Sequence, residues 1–234
     1  METASIALVI PALNEEQALP AVLEEVPSEL VHWVFVVDNG STDATASVAQ
    51  EKGAIVIAQP QRGYGAACWK GLLAAQQKGA DIVVFMDGDG SDHPGDLSSL
   101  LAPLLEGKAD LAIGLRNGEQ AEKDALPIHA RFGNWLVSRL INLLYGCCIH
   151  DLGSFRALRC ATLETLRMKD MSSGWPVEML VKAARQKYRI AEIPLRYRKR
   201  KYGHSKVAST FTGSILAAYL MLKTTFKYVR SAEA

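Results

Sequence analysis

The sequence predicts an α/β fold built on a mostly parallel sheet flanked by helices, and three observations lead there. Short apolar runs rich in β-branched residues alternate with helical periodicity through the first half of the chain. Each crossover between such strands must return over one face of the sheet, so regular alternation implies parallel strands with helices on both faces. The 234 residues are 49% hydrophobic and 22% charged, without internal repeat, low-complexity tract or linker. That composition fits one composite globular domain and excludes a disordered tail, a collagen-like repeat and a disulfide-stapled miniature.

The elements follow in order. Residues 5–13 form an apolar strand, after which Leu19, Val22, Leu23 and Val26 recur at helical spacing. Residues 33–38 are a second strand. Residues 42–52 form a helix, with Ser41 to Asp43 as capping residues and Gly53 as its stop. A third strand at 54–59 leads to a helix at 64–78 that ends on Gly79. A fourth strand at 81–87 leads to a helix at 94–106 entered through Pro94, and a fifth strand covers 109–116. The second half is less regular. Residues 118–127 are a polar, acidic loop, 130–145 a helix, and 149–158 a strand. Residues 176–187 are a helix with Pro176 in its first turn, 188–196 alternate like a strand, and 208–229 form a long final helix.

The net charge of +1 conceals a division. Residues 1–115 carry 5 basic and 16 acidic side chains, a balance of −11, whereas residues 116–234 carry 21 and 9, a balance of +12. Such asymmetry between halves signals separate jobs. Residues 196–206 alone hold six Lys/Arg and no acid. No nucleic-acid motif accompanies them, which argues against a nucleic-acid partner. The four cysteines, Cys68, Cys147, Cys148 and Cys160, form no C-x-x-C pair and read as buried free thiols in a reducing cytoplasm. The start of the chain lacks a basic flank and reads as no signal peptide. The uncharged stretch 207–222 has 16 residues, fewer than the ~20 a spanning helix needs. The expectation is a cytoplasmic protein, with a peripheral seat on the inner face of a membrane left open.

Four strand-end motifs carry the chemistry. Asp87-Gly-Asp89-Gly-Ser-Asp92-His93-Pro94 follows the fourth strand. Two carboxylates separated by one glycine can share a hard divalent cation, which Mg²⁺ sites complete with substrate phosphates. The alternative is a polar turn in which Asp92 caps the next helix. Asp38-Asn-Gly-Ser-Thr-Asp43 ends the second strand, either as a turn and cap or with Asp38 on a ribose or base. Pro11-Ala-Leu13-Asn-Glu15-Glu16 ends the first strand. Arg62-Gly63-Tyr-Gly65 after the third suits close backbone approach to a ligand or helix–sheet packing. Ligands of such sheets bind beyond the carboxyl ends of the strands. A dehydrogenase is disfavoured, because the first strand lacks a glycine-rich turn after it.

Taken in order, VIPALNEE, VVDNGSTD, MDGDGSDHP, GLRN, DLGSFRALR, SGWPVEM and RKRKYGHSK resemble the inverting family 2 glycosyltransferases of GT-A fold. The later motifs resemble the dolichyl- and polyprenyl-phosphate sugar synthases. The resemblance implies a UDP- or GDP-sugar donor, a Mg²⁺ or Mn²⁺ ion and a polyprenyl-phosphate acceptor. It places Pro11, Leu13, Glu15 and Asp38 on the nucleotide, Arg62 near it, and Asp87 and Asp89 at metal and diphosphate. It puts Arg116 beside the sugar-diphosphate, and Arg131, Arg156, Arg200 and Lys206 around the diphosphate and the acceptor phosphate. Glu178 falls on the acceptor side, so that Asp89, Arg116, Arg131 and Glu178 are the expected catalytic set. The chain departs from the family where Asn39 and Gly90-Ser91-Asp92 stand. On this scheme residues 1–116 hold the donor and 117–206 the acceptor within one domain. Residues 207–234 form an amphipathic helix for a membrane interface, for the domain itself or for a second subunit. A hydroxyl acceptor needs a general base, for which Glu178 and Asp151 are the candidates, whereas a phosphate acceptor needs only cations. A catalytically silent nucleotide-binding or membrane-docking protein is the remaining alternative.

Overall fold

The computed structural model describes residues 4–116, 119–202 and 211–229, with the side chains of 211–218 left aside. Seven strands form one sheet: β1 (Ile6–Ala12), β2 (Trp33–Asp38), β3 (Ile55–Ala58), β4 (Ile82–Phe85), β5 (Leu111–Leu115), β6 (Arg156–Arg159) and β7 (Ile190–Pro194). Their spatial order is β3-β2-β1-β4-β6-β5-β7. Only β6 runs antiparallel to its neighbours. β1 and β4 are buried almost throughout, as expected of strands covered on both faces, and this explains their unbroken apolar runs.

The helices α1 (Leu19–Glu24), α2 (Thr45–Glu51), α3 (Tyr64–Gln77) and α4 (Leu97–Leu105) return the chain between the first five strands. α5 (Ile128–Tyr145), α6 (Cys160–Leu166), α7 (Trp175–Arg185) and α8 (Phe211–Lys227) belong to the second half. Two apolar cores lie on the two sides of the sheet. One gathers alternate residues Ala7, Val9, Phe35 and Val37 with α3 and α7; the other gathers Leu8, Ile10 and Val36 with α1 and α4. The period of two along each strand divides its side chains between them. Gly71 lets α3 approach β1, since a Cβ there would lie 2.3 Å from Val9 Cγ1.

Several boundaries differ from the sequence-based expectation. The strand expected at 149–158 begins only at Arg156 and is antiparallel. The residues before it form a loop whose backbone groups bond to Glu192, Asn134 and Arg156 side chains. α2 starts at Thr45 because Asp43 Oδ1 takes the Thr45 N–H at 3.0 Å and Glu16 takes that of Ala44. The helix entered at Pro94 opens as a short 3₁₀ turn capped by His93, whose Nδ1 accepts from Gly95 N. Asp92 is therefore not the cap. α6 went unread in the sequence. Cys68 and Cys160 are buried and Cys147 is half-buried, but Cys148 is exposed, and all four thiols are free. Among the described residues no helix is long and apolar enough to cross a membrane.

Candidate active site

The parallel strands end together, and β6, running the other way, begins at the same edge: Phe85 pairs with Arg156. Four strand-end loops of the first half therefore share one sheet edge with the 151–155 loop of the second, which meets the β4 loop where Ser154 donates to Asp87. They are laced to one another. Asn14 N donates to Ser41 Oγ at 3.0 Å and Glu15 N to Thr45 Oγ1 at 2.8 Å. Asn39 is buried, with its amide nitrogen on the carbonyls of Gln59 and Gln61 and its amide oxygen on Gly63 N. An aspartate could not make the two donations, so asparagine at this departure from the family pattern serves to join two loops. Asp38 takes Ser41 N at 3.0 Å, and Arg62 lies exposed beside Gly40. Pro11, near the end of β1, and Leu13, in the loop that follows, are half-buried.

Three acids crowd the end of β4. Asp87 Oδ2 accepts from Ser154 Oγ at 2.8 Å, and its own N–H points to Asp92 Oδ2 at 3.3 Å. Asp89 Oδ1 accepts from Ser91 N at 2.8 Å, and its Oδ2 is taken by Arg200. Burial first, then Asp89, raises the pKa of Asp87. Burial and the two neighbouring carboxylates push Asp92 well above the usual range. This is the field that attracts a cation. Arg200 answers it, bridging Asp89 and Glu15, the latter at 3.2 Å.

Arg116 faces the acids from β5. Asp151, wholly buried, holds it by its backbone N–H at 2.6 Å and by its guanidinium at 2.7 Å. Asn134 of α5 accepts from it at 3.3 Å, and the Tyr197 ring lies 5.9 Å below it. Burial works against its charge, but Asp151 overrides burial and raises its pKa. The segment from Arg196 to Arg200 crosses this edge. Tyr197 bridges to Asp92 and Ala121, and Arg198 N donates to Ser91 O at 2.8 Å. Burial raises the Tyr197 phenol to about 12.

The structure thus brings Glu15, Asp87, Asp89, Arg116 and Arg200 together, and it corrects three other expectations. Arg156 is buried and gives its guanidinium to the carbonyls of Leu152, Gly153 and Pro176, so it braces the loop that carries Asp151 and Ser154. Burial lowers its pKa to about 10. Glu178 is fully buried on α7, where Lys182, Tyr228 and the N–H groups of Lys169 and Asp170 hold it. It ties α7 to Tyr228, the residue that follows α8, and has no surface left for an acceptor. Arg131 lies exposed on the first turn of α5, outside the cluster. Lys206 lies outside the described residues. Trp175 packs edge-on against Trp69 and Phe85 in the core. The glycines of Arg62-Gly63-Tyr-Gly65 admit chain, not ligand: Gly65 N and Ala66 N donate to Ser172 O and Met171 O. A Cβ on Gly65 would lie 2.3 Å from Asp170 O.

Ser154, Asn134 and Tyr197 were not singled out by the sequence. Ser154 lies within DLGSFRALR and could have been found there. A cavity of about 690 Å³ lies elsewhere, between the ends of α5, α7 and α8 and the start of β7. The chemistry sits instead at the open strand edge.

Comparison with known proteins identifies the family. The model of glycosyl transferase family 2 matches residues 7–167. An uncharacterized glycosyltransferase of Mycobacterium tuberculosis is 40% identical over 213 residues, covering 91% of this chain and 94% of that one. An undecaprenyl-phosphate mannosyltransferase of Micrococcus luteus is 29% identical over 219 residues, 89% of each chain. Among solved structures, glucosyl-3-phosphoglycerate synthase of M. tuberculosis with Mn²⁺, UDP and phosphoglyceric acid superposes with TM-score 0.77. It is 25% identical and is matched over 99% of this chain and 80% of its own. The same enzyme with Mn²⁺ and UDP-glucose gives 0.73 at 25% identity, over 96% and 78%. With a seven-stranded sheet of GT-A type and its acidic loops at the strand ends, the chain belongs to glycosyl transferase family 2 and is a glycosyltransferase.

Proposed function

We propose that this enzyme moves a sugar from a nucleotide-diphosphate donor to a polyprenyl phosphate, with inversion at the anomeric carbon. One observation carries the choice of acceptor. The two acids that the sequence offers as bases for a hydroxyl acceptor are both committed, Asp151 to Arg116 and Glu178 to Lys182 and Tyr228. A phosphate acceptor arrives as an oxyanion and needs no base. The acceptor class of the M. luteus relative supports the same choice.

In this scheme residues 1–116 bind the donor, 117–206 the acceptor, and 207–234 serve an interface. Pro11, Leu13, Glu15 and Asp38 line the nucleoside, with Arg62 near it. Asp87 and Asp89 hold Mg²⁺ or Mn²⁺ together with the diphosphate. Two protein carboxylates suit an ion that completes its shell with phosphate oxygens and water. The crowded carboxylates, one already engaged by a guanidinium, fit such a cation. A bound ion supplies charge stabilisation to the leaving diphosphate. Arg116, fixed by Asp151 and Asn134, adds a cation that needs no reorganisation. Arg200 and Lys206 receive the acceptor phosphate. The neighbours' complexes with Mn²⁺, UDP and UDP-glucose support the donor side.

The test is transfer of label from UDP- and GDP-sugars, with and without Mn²⁺, to polyprenyl phosphate, a saccharide or phosphoglycerate. A metal-dependent, lipid-soluble product is expected. Transfer confined to either of the other acceptors would overturn the acceptor assignment.

A further inference from the structure

Helix α5 is turned with large apolar side chains outward. Asn134, Val137, Ser138 and Ile141 are buried, whereas Ile128, Phe132, Trp135 and Leu143 are exposed, the first and last at 81% each. At 3.6 residues per turn these four fall on one strip of the helix, and Arg139 falls inside it. The Phe132 and Trp135 rings lie side by side, 5.8 Å apart. The helix has no acidic residue, and its arginines, Arg131 and Arg139, are both exposed. α8 packs against it, with Tyr145 of α5 donating to Thr225 O at 2.5 Å. α8 also lacks acid, and it exposes Tyr219, Lys223, Phe226 and Lys227. Leu222 of α8 packs toward the core. Glu119, Glu122 and Asp124 belong to the loop ahead of α5.

We propose that this outward face of α5, continued by α8, docks on a membrane surface that carries anionic lipid headgroups. Aromatic rings suit the interface between headgroup and acyl chain, and arginines within the strip can pair with lipid phosphates. A second copy of this chain fits less well. A two-fold contact would set each patch against its own image, bringing Arg139 to a surface with no acid to receive it. The docking stands apart from the proposed transfer in all respects but one, which rests on it. Asn134 on the inner face holds Arg116, so α5 on a bilayer would place the proposed acceptor site about one helix diameter, ~10 Å, from the lipid.

Cosedimentation of the full chain with vesicles tests the proposal. The probes are phosphatidylcholine alone and an equal mixture with phosphatidylglycerol. Binding is expected only to the mixture, and it should weaken with added salt. Phe132→Ser with Trp135→Ser should abolish it. Arg139→Gln should weaken it about fivefold, the effect of one cation near an anionic surface. Ile55→Ser on edge strand β3 should leave it unchanged, and circular dichroism should show all variants folded. No binding of wild type to the mixture, or equal binding by the double variant, would overturn the proposal. So would a dimer by light scattering that the double variant converts to monomer with vesicle binding intact. Transfer to a short, water-soluble polyprenyl phosphate without vesicles reports the proposed function separately. Its loss in wild type would defeat that function and leave docking standing.

Discussion

Asp89 has two claimants, the guanidinium of Arg200 in the structure and a divalent ion in the proposed reaction. Asp89→Ala is expected to remove the Mn²⁺-dependent part of a thermal shift with UDP- or GDP-sugar. The metal-independent part, which reports base and ribose, should remain. Arg200→Ala should tighten Mn²⁺ binding a few-fold, about the ~1 kcal/mol of a partly exposed ion pair, in a titration followed by Mn²⁺ electron paramagnetic resonance. It should also slow transfer to the acceptor. Asp151 is the opposite case, a wholly buried carboxylate whose loss strands Arg116. Asp151→Ala should cost about 3–5 kcal/mol in urea unfolding. The sequence made residue types and order legible here, but not the direction of each side chain. Glu178 follows Trp175-Pro176-Val177 as the resemblance requires, yet the phase of α7 turns it toward Lys182 and Tyr228. That phase is set by packing, which a linear motif does not contain.

Elements were legible where local pattern decides them. β1 and β4 have unbroken apolar runs because both faces are covered, and α3 stands out between Gly63 and Gly79. β6 was misjudged because its four residues gain their strand identity from pairing with β4 and β5, partners far away in sequence. The backbone of Gly63, at φ +153°, also sits where a side chain is disfavoured and where Met171 O stands in the way. Gly71→Ala tests how tightly α3 lies on the sheet. With Val9 Cγ1 only 2.3 Å from the added carbon, overpacking should cost about 1–3 kcal/mol in urea unfolding. Gly133→Ala should show no such cost, since nothing lies within 4 Å of its added carbon and its backbone is helical.

At the scale of the molecule, the opposed charges of the two halves meet. Arg196 pairs with Asp96, Arg198 with Glu25, and Arg200 with Glu15 and Asp89. The basic run that looked free for phosphate is therefore largely a clasp onto the acidic half. The division was legible in the sequence; the mutual neutralisation was not, because it depends on the 196–200 segment crossing the β4 loop. The clasp has a pH signature. Burial tends to raise the Asp96 carboxyl, but hydrogen bonds from Arg196 outweigh it and hold the carboxyl below the ordinary range. Its contribution is thus complete at neutral pH and is lost as pH falls through the depressed value. For a pair this exposed the amount is at most about 1 kcal/mol. Asp96→Asn should be less stable than wild type at about pH 7 in urea unfolding, and the difference should shrink as pH falls through the depressed carboxyl.

The placement of β6 also governs how the chain can be made. A ribosome delivers β5 before either of its neighbours exists, since β6 and β7 follow at Arg156–Arg159 and Ile190–Pro194. Until then β4 presents an open edge and β5 has nothing to pair with. The first four strands can assemble early, but the sheet closes only after more than two thirds of the chain has emerged. The proposed catalytic edge, with Asp87 on one side of β6 and Arg116 on the other, is completed at that late step. Pairings so distant in sequence are slow to form and leave partly closed sheets exposed to aggregation. During synthesis this enzyme is most vulnerable in the interval between β5 and β6.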